Sequence, residues 1–394
     1  MRILFTVFGT RPHLYPLVPL AWAFRAAGHE VRLASTPRWT TDISYTGLPP
    51  VAVGGPPQVT TNARDDLAVA VFSQQPWPSD WAANVAGLTP ERLACLESIG
   101  RYLIAAAAAM VDDLVAFARS WRPDLVVYDS FSYAGPVAAA AVGVPGVRHL
   151  SGTDSAQRLE MRQPTNDPLP EYVSLFARFG VPATTDPSST VDPTPPAMRL
   201  VTPPKLHPMR YIPYNGPGGT PEGLMGQRSR PRVCVTWGHT MSDTGDGLLP
   251  FRAVINAIAV QGMDCLIAAP AREIELLGPL PPAARALASV PLHLVLPYCD
   301  AIVHQGGDGT ALTAATTAVP QLIIANSPEA DMCGGRITAA GAGIAIRYES
   351  HAMVREGVQK LVSVPAYREG AERLRDEIEA QPTPAEVVRA LAGG

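Results

Sequence analysis

Ile302-Val303-His304-Gln305-Gly306-Gly307-Asp308-Gly309-Thr310 is the stretch on which the fold turns. An apolar run ends at a glycine-rich turn, and a small-residue segment of helical character follows over 310–318. A strand feeding a helix through such a turn is the building unit of a parallel α/β sheet. The turn also has a chemistry. The first backbone N–H groups of a helix and the positive end of its dipole converge there and favour an anion. Glycine lets the backbone approach a phosphate without a Cβ in the way. The dipole alone contributes about 0.3–2 kcal/mol, so several donors must act together. The His304 ring and the Thr310 hydroxyl are candidates beside the turn amides. The same residues also fit a tight strand–helix connection whose glycines serve packing.

Outward from that turn the same rhythm repeats. In the second half, 232–237, 264–269, 293–296, 301–304, 321–325 and 343–346 read as strands, with helices at 249–260, 330–340, 367–380 and 385–391. In the first half, 3–8, 30–34, 51–53, 124–128 and 146–150 read as strands, with helices at 17–27, 91–119 and 133–142. Gly28 reads as a helix stop in the left-handed region. Between 182 and 230 the rhythm breaks in a stretch dense in Pro, Gly, Ser and Thr, with short strands expected at 198–202 and 209–214. We therefore expect an α/β domain over 1–205, a linker over 206–230, a second α/β domain over 231–375, and a helical segment over 376–394 that returns to the first domain. Two such units joined by a linker place a cleft between the carboxyl edges of two sheets.

Composition narrows the partners. The chain has 394 residues, 47% of them hydrophobic and 17% charged, enough to bury large cores. Its net charge of −4, without an extended basic tract, argues against nucleic acid or an anionic membrane. The opening apolar run is too short for a secretory core, and the longest one, 103–111, is far short of a membrane span. Cys95, Cys234, Cys265, Cys299 and Cys333 lie far apart and form no Cys-x-x-Cys pair, which fits a reducing compartment. We expect a soluble cytoplasmic protein, with a homodimer left open.

The first turn, Gly9-Thr10-Arg11-Pro12-His13, lacks the dinucleotide-binding glycine pattern, and no Walker A motif occurs. The residues instead resemble inverting glycosyltransferases of the GT-B fold, and among them actinobacterial enzymes that attach deoxysugars to polyketides and other antibiotics. The resemblance rests on 304–310, on Ala318-Val319-Pro320-Gln321-Leu322 and on Glu329-Ala330-Asp331. It extends to His13-Leu14-Tyr15-Pro16-Leu17-Val18-Pro19, Gly28-His29-Glu30-Val31 and 122–129. It implies two Rossmann-like parallel-sheet domains facing across a cleft.

By that resemblance the second domain holds a nucleoside-diphosphate sugar, here a thymidine-diphosphate (dTDP) deoxysugar. His304 would contact the diphosphate, and Gly306, Gly307, Gly309 and Thr310 would line its turn. Trp237-Gly238-His239-Thr240 would form a second phosphate-facing loop, and Val295 and Leu296 would line the base pocket. Where the family carries an Asp-Gln pair for sugar hydroxyls, this chain has Asp331-Met332, which suits a deoxygenated sugar. Gln305 replaces a histidine of many relatives, and Asp308 is expected to face away from the diphosphate or to cap the helix.

His13 matches the family's general base, an imidazole being suited to proton transfer near neutral pH. Asp129 matches the carboxylate that orients it. Read without the resemblance, His13 is also a loop histidine and Asp129 a strand-end carboxylate. Tyr15, Trp77, Trp81, Phe131 and Tyr133 are the aromatic candidates for a hydrophobic small-molecule acceptor, although Trp77 and Trp81 equally suit a loop packed on the core. No metal is expected: Asp-x-Asp is absent, and Asp65-Asp66 and Asp112-Asp113 are adjacent pairs. The competing reading is a non-catalytic nucleotide-sugar-binding helper of the same fold. A two-domain epimerase would need further acid/base carboxylates in the cleft.

Overall fold

A computed structural model of the chain describes all residues except 8, 56–74, 154–156, 227, 239–247 and 394, with no side chains for 248–250. Asp65 and Asp66 lie outside the described residues.

The strands are β1 (Arg2–Thr6), β2 (Glu30–Ser35), β3 (Pro50–Ala52), β4 (Leu125–Asp129), β5 (Gly146–His149), β6 (Met161–Arg162), β7 (Asp167–Pro168), β8 (Ser189–Asp192) and β9 (Leu206–Pro208). They are followed by β10 (Arg232–Thr236), β11 (Asp264–Ala269), β12 (Ala284–Ala288), β13 (Ala301–His304), β14 (Gln321–Ile324) and β15 (Gly343–Ile346). One sheet has the order β3-β2-β1-β4-β5-β8-β9, a second the order β12-β11-β10-β13-β14-β15, and β6 and β7 form a small antiparallel pair. Every pairing within the two large sheets is parallel.

The central strands β1, β4, β10, β13 and β14 are mostly apolar and buried because both faces are covered. Ile3 and Phe5 of β1 join Leu125 and Val127 of β4 in one core, while Leu4 joins Val126 and Tyr128 in the core on the other face. The second sheet alternates likewise. Val233, Val235 and Val303 face one side; Cys234 and Ile302 face the other. This is the period-two alternation of strand side chains.

Several boundaries differ from the sequence expectation. The first helix runs Arg11–Ala26, so His13 lies in its first turn and not in a loop. Proline is tolerated at a helix start, which Pro12 marks, and Pro16 and Pro19 are carried inside, both buried. The long helix expected over 91–119 is two helices, Pro90–Ala108 and Val111–Trp121, bent by 50°. The Ala109 carbonyl accepts from Gly55 N–H at 3.4 Å, and Gly54 N–H donates to Asp113 at 2.8 Å, so the loop after β3 interrupts the ladder. Among the described residues no single helix is long and apolar enough to cross a membrane.

The Pro-rich stretch holds more structure than expected. β8 and β9 extend the first sheet through residue 208, while 196–198 is a single 3-10 turn and no strand forms at 209–214. The strand expected at 293–296 is replaced by two 3-10 turns, Leu292–Leu294 and Leu296–Tyr298, and the edge strand is β12. At the other end, the helix Pro384–Ala392 opens with a capping box between Thr383 and Glu386. Its Val387 and Val388 are buried with Leu17, Leu20 and Phe24 of the first domain.

Candidate active site

β1 and β4 are neighbours, so the segments leaving their carboxyl ends emerge side by side. Asp129 closes β4, and His13 stands in the helix that follows β1. His13 Nδ1 lies 2.8 Å from Asp129 Oδ1, and Asp129 Oδ2 accepts from the Phe131 backbone N–H at 3.2 Å. The Asp129 side chain is 1% exposed and that of His13 is 18% exposed, so the carboxylate is enclosed and the imidazole reaches the surface of the site. The Phe131 ring meets the His13 ring edge-on at 5.2 Å. With Nδ1–H donating to the carboxylate, Nε2 is the basic nitrogen, and the ring is held on two sides. This is the arrangement of a general base with its orienting acid. Behind it, His149 at the end of β5 is in register with Asp129. Its ring is buried, neither nitrogen has a partner among the described residues, and burial lowers its pKa to about 4 against the opposing pull of Asp129.

In the second domain β13 runs into Gln305-Gly306-Gly307, and the helix Asp308–Thr316 begins with Gly307 at the cap and no side-chain cap. His304 departs from its expected role. It is fully buried, its Nδ1 accepts from Gly306 N–H at 3.1 Å, and its Nε2 bonds Gln321 Oε1 at 3.0 Å. Burial lowers its pKa to about 4, so the ring is a neutral strut of the turn and does not reach outward to a phosphate. Gly306 has φ of +92°, and a Cβ there would come within 2.7 Å of Ala330 Cβ. A Cβ on Gly309 would meet nothing within 4 Å. Thr310 is the third residue of that helix.

The residue that faces the turns is Gln305. Its Nε2 lies 2.4 Å from where a Cβ on Gly238 would stand and 2.9 Å from one on Gly307, and its buried Oε1 has no partner among the described residues. The side chain thus spans the ends of the adjacent strands β10 and β13. Trp237 is buried and stacks on Phe251 at 5.4 Å; His239 and Thr240 lie outside the described residues. Val295 and Leu296 are fully buried with Cys234 and Ile302 in the core, which leaves neither side chain open to a ligand.

Segments of the first domain dock on this half. Thr153 Oγ1 donates to Asp308 at 2.8 Å, so the Asp308 carboxylate faces across the cleft. Trp77 N–H donates to Asp331 Oδ2 at 3.0 Å, and Trp81 Nε1–H to the Pro328 carbonyl at 3.1 Å. Arg347 holds both Asp331 oxygens, at 2.5 and 2.6 Å, and bonds Gln75 Oε1 at 2.9 Å. Met332 is fully buried in the first domain's apolar cluster with Trp77 and Trp81. The Asp331-Met332 pair is thereby committed to contacts between the domains, contrary to the sugar-binding role expected of it. A cavity of about 130 Å³ remains between the halves, with His13, Trp77, Trp81 and Phe131 on its first-domain walls and Pro328 and Glu329 on the other side. Tyr15 and Tyr133 do not line it: Tyr15 packs edge-on against Tyr214 at 5.1 Å, and Tyr133 against Tyr172 at 5.5 Å. A shallower hollow among Arg2, Glu30 and Asp124 lies at the amino edge of the first sheet, away from the dyad.

Glu329 and Arg347 were not singled out from sequence. Glu329 lies inside a motif yet has no local mark of exposure, and Arg347 meets Gln75 only through folding, 272 positions away.

Comparisons with known proteins bear on the family and the fold. The N-terminal domain of the family described as Erythromycin biosynthesis protein CIII-like matches residues 22–238, and its C-terminal domain matches 252–393. The chain is 36% identical to 3-alpha-mycarosylerythronolide B desosaminyl transferase of Saccharopolyspora erythraea, over 98% of this chain and 97% of that one. It superposes on glycosyltransferase VinC in complex with dTDP with TM-score 0.81 and 32% identity, covering 100% of this chain and 99% of VinC. It superposes on spinosyn rhamnosyltransferase SpnG complexed with spinosyn aglycone with TM-score 0.82 and 28% identity, covering both chains fully at 100%. With the paired sheets, the glycine turn and the His–Asp pair already in place, these matches establish that the chain belongs to the Erythromycin biosynthesis protein CIII-like family and is a GT-B glycosyltransferase.

Proposed function

We propose that this enzyme moves a deoxysugar from a dTDP donor to a hydrophobic acceptor of polyketide type, with inversion at the anomeric carbon. One observation carries the reading: His13, bonded to Asp129 in one domain, and the start of the helix Pro328–Ala339 of the other line the same cavity. The relatives support the substrate classes. One is named as a desosaminyl transferase of an erythronolide, one neighbour was solved with dTDP and another with an aglycone.

In this scheme His13 Nε2 takes the proton of an acceptor hydroxyl as that oxygen attacks the anomeric carbon. Asp129 stabilises the imidazolium that forms. The bond from the anomeric carbon to the phosphate oxygen breaks on the opposite face, which inverts the centre. The diphosphate leaves toward the glycine turn, where backbone amides, the helix dipole and the Gln305 amide meet its charge. No metal enters the scheme. A binding-only helper would leave the oriented His13–Asp129 pair without a use.

The test is transfer from dTDP-deoxysugars to polyketide aglycones in excess chelator, with the anomeric configuration of the product read by NMR. Inverted product is expected, with a loss of about 10²–10⁴ in rate for His13→Ala. Product of retained configuration, or a variant within a few-fold of wild type, overturns the mechanism.

A further inference from the structure

We infer that Thr153 is a positioning residue of the anion site: from the first domain it draws the Asp308 carboxylate off the glycine turn and so leaves the turn amides to a diphosphate. The inference rests on the glycosyltransferase reading and goes beyond it, because it makes part of the donor site depend on the other domain.

Asp308 is the first residue of the helix Asp308–Thr316, directly after the cap Gly307. An acidic side chain in that place ordinarily serves the helix itself, by accepting from its first amides and meeting its dipole. Those are the groups on which a diphosphate would dock. The carboxylate and the donor are therefore rivals for one set of amides, and their like charges repel. The structure shows where the carboxylate is held instead. Thr153, buried and four residues past the end of β5, donates from Oγ1 to Asp308 Oδ1 at 2.8 Å and lies 3.0 Å from Oδ2. Gly152 makes room for this contact, for a Cβ there would stand 2.1 Å from Asp308 Oδ2 and 2.4 Å from its Cγ. The first domain thus receives the side chain in a gap that a glycine leaves open, with a hydroxyl at its end. The charge is still felt in its own domain. The Tyr211 hydroxyl lies 3.3 Å from Gly309 O, and burial pushes that phenol up to about 12, with the Thr313 hydroxyl opposing and Asp308 adding. Asp308 therefore acts on the first turn of its helix even while it is held across the cleft, and how far the carboxylate stands from the amides matters to any anion docked there.

The experiment is calorimetric titration of the full chain with dTDP, with the melting midpoint of each variant as the check that it is folded. Thr153→Val keeps the shape and removes the hydroxyl, and its dTDP affinity is expected to fall about fivefold or more. Thr153→Ser keeps the hydroxyl and is expected to stay within about twofold of wild type. Asp308→Asn removes the charge and is expected to bind dTDP at least as tightly as wild type. The double variant Thr153→Val/Asp308→Asn is expected to recover what Thr153→Val loses. The loss is thus expected only while the charge is present, a pattern that a purely structural part for Thr153 would not give. Wild-type affinity in Thr153→Val overturns the inference, and so does a double variant as weak as Thr153→Val. Weaker binding by Asp308→Asn overturns it independently of any change at Thr153. Failure of wild type to bind dTDP at all overturns the donor assignment instead, which keeps the two readings distinguishable.

Discussion

Three imidazoles show how position in the sheet decides what a histidine does. His13 stands at the surface of the site with a carboxylate behind it, whereas His149 and His304 are buried at strand ends. Burial lowers both buried rings from 6.5 to about 4. In the unfolded chain they take a proton near pH 6.5; in the folded chain they do not until about pH 4. Between those values the unfolded state binds more protons, so stability falls as pH drops and recovers as it rises, by up to about 1.4 kcal/mol per pH unit for each ring. The melting temperature is therefore expected to be lower at pH 5 than at pH 7. His149→Asn should flatten that dependence by about half of the two-ring effect. An unchanged slope in the variant, measured by calorimetry at several pH values, would show that His149 is not held neutral by the fold.

The glycine turn separates two kinds of glycine within one element. Gly306 sits at positive φ against Ala330, so its requirement is internal. Gly309 faces open space, so its requirement concerns what arrives from outside. Gly306→Ala is expected to lower folding stability by about 1–3 kcal/mol in denaturant titration. Gly309→Val is expected to leave the midpoint close to wild type and to weaken dTDP binding at least tenfold, because a side chain would fill the phosphate approach. Identical behaviour of the two variants would remove the distinction. This turn was legible in the sequence because strand, glycines and helix follow one another within ten residues. The His13–Asp129 pair was legible through the family resemblance, while the residues alone left a loop histidine and a strand-end carboxylate; Asp129 does end β4, but His13 lies in the first turn of a helix. What was not legible is non-local. Nothing near Arg347 signals Asp331 or Gln75, and nothing near Ala109 signals the loop that breaks its helix. The strands β8 and β9 were hidden because the prolines around them suggest linker, although the edge strand β9 tolerates Pro208.

At the scale of the whole molecule, the halves are not independent beads. Met332 belongs to the second domain by chain position and to the first by burial. Met332→Ala removes that peg and is expected to cost about 2–5 kcal/mol, the usual range for a large-to-small change in a packed core. Limited proteolysis should then cut between the domains faster than in wild type. An unaltered cleavage rate together with an unaltered unfolding midpoint would mean that the halves are held by their polar contacts alone.

The chain passes between the domains twice, once after β9 and again before the helix Pro384–Ala392. The two passages are stitched together, for Arg210 N–H donates to the Pro382 carbonyl at 2.7 Å and the Arg210 guanidinium reaches Glu379 O. Two tethers bound side by side act as one axle. A pair of tethers joined in this way restricts how one lobe can turn against its companion more than a single strap would. The imidazole of one lobe is thereby kept in register with the other lobe by chain connectivity as well as by packing.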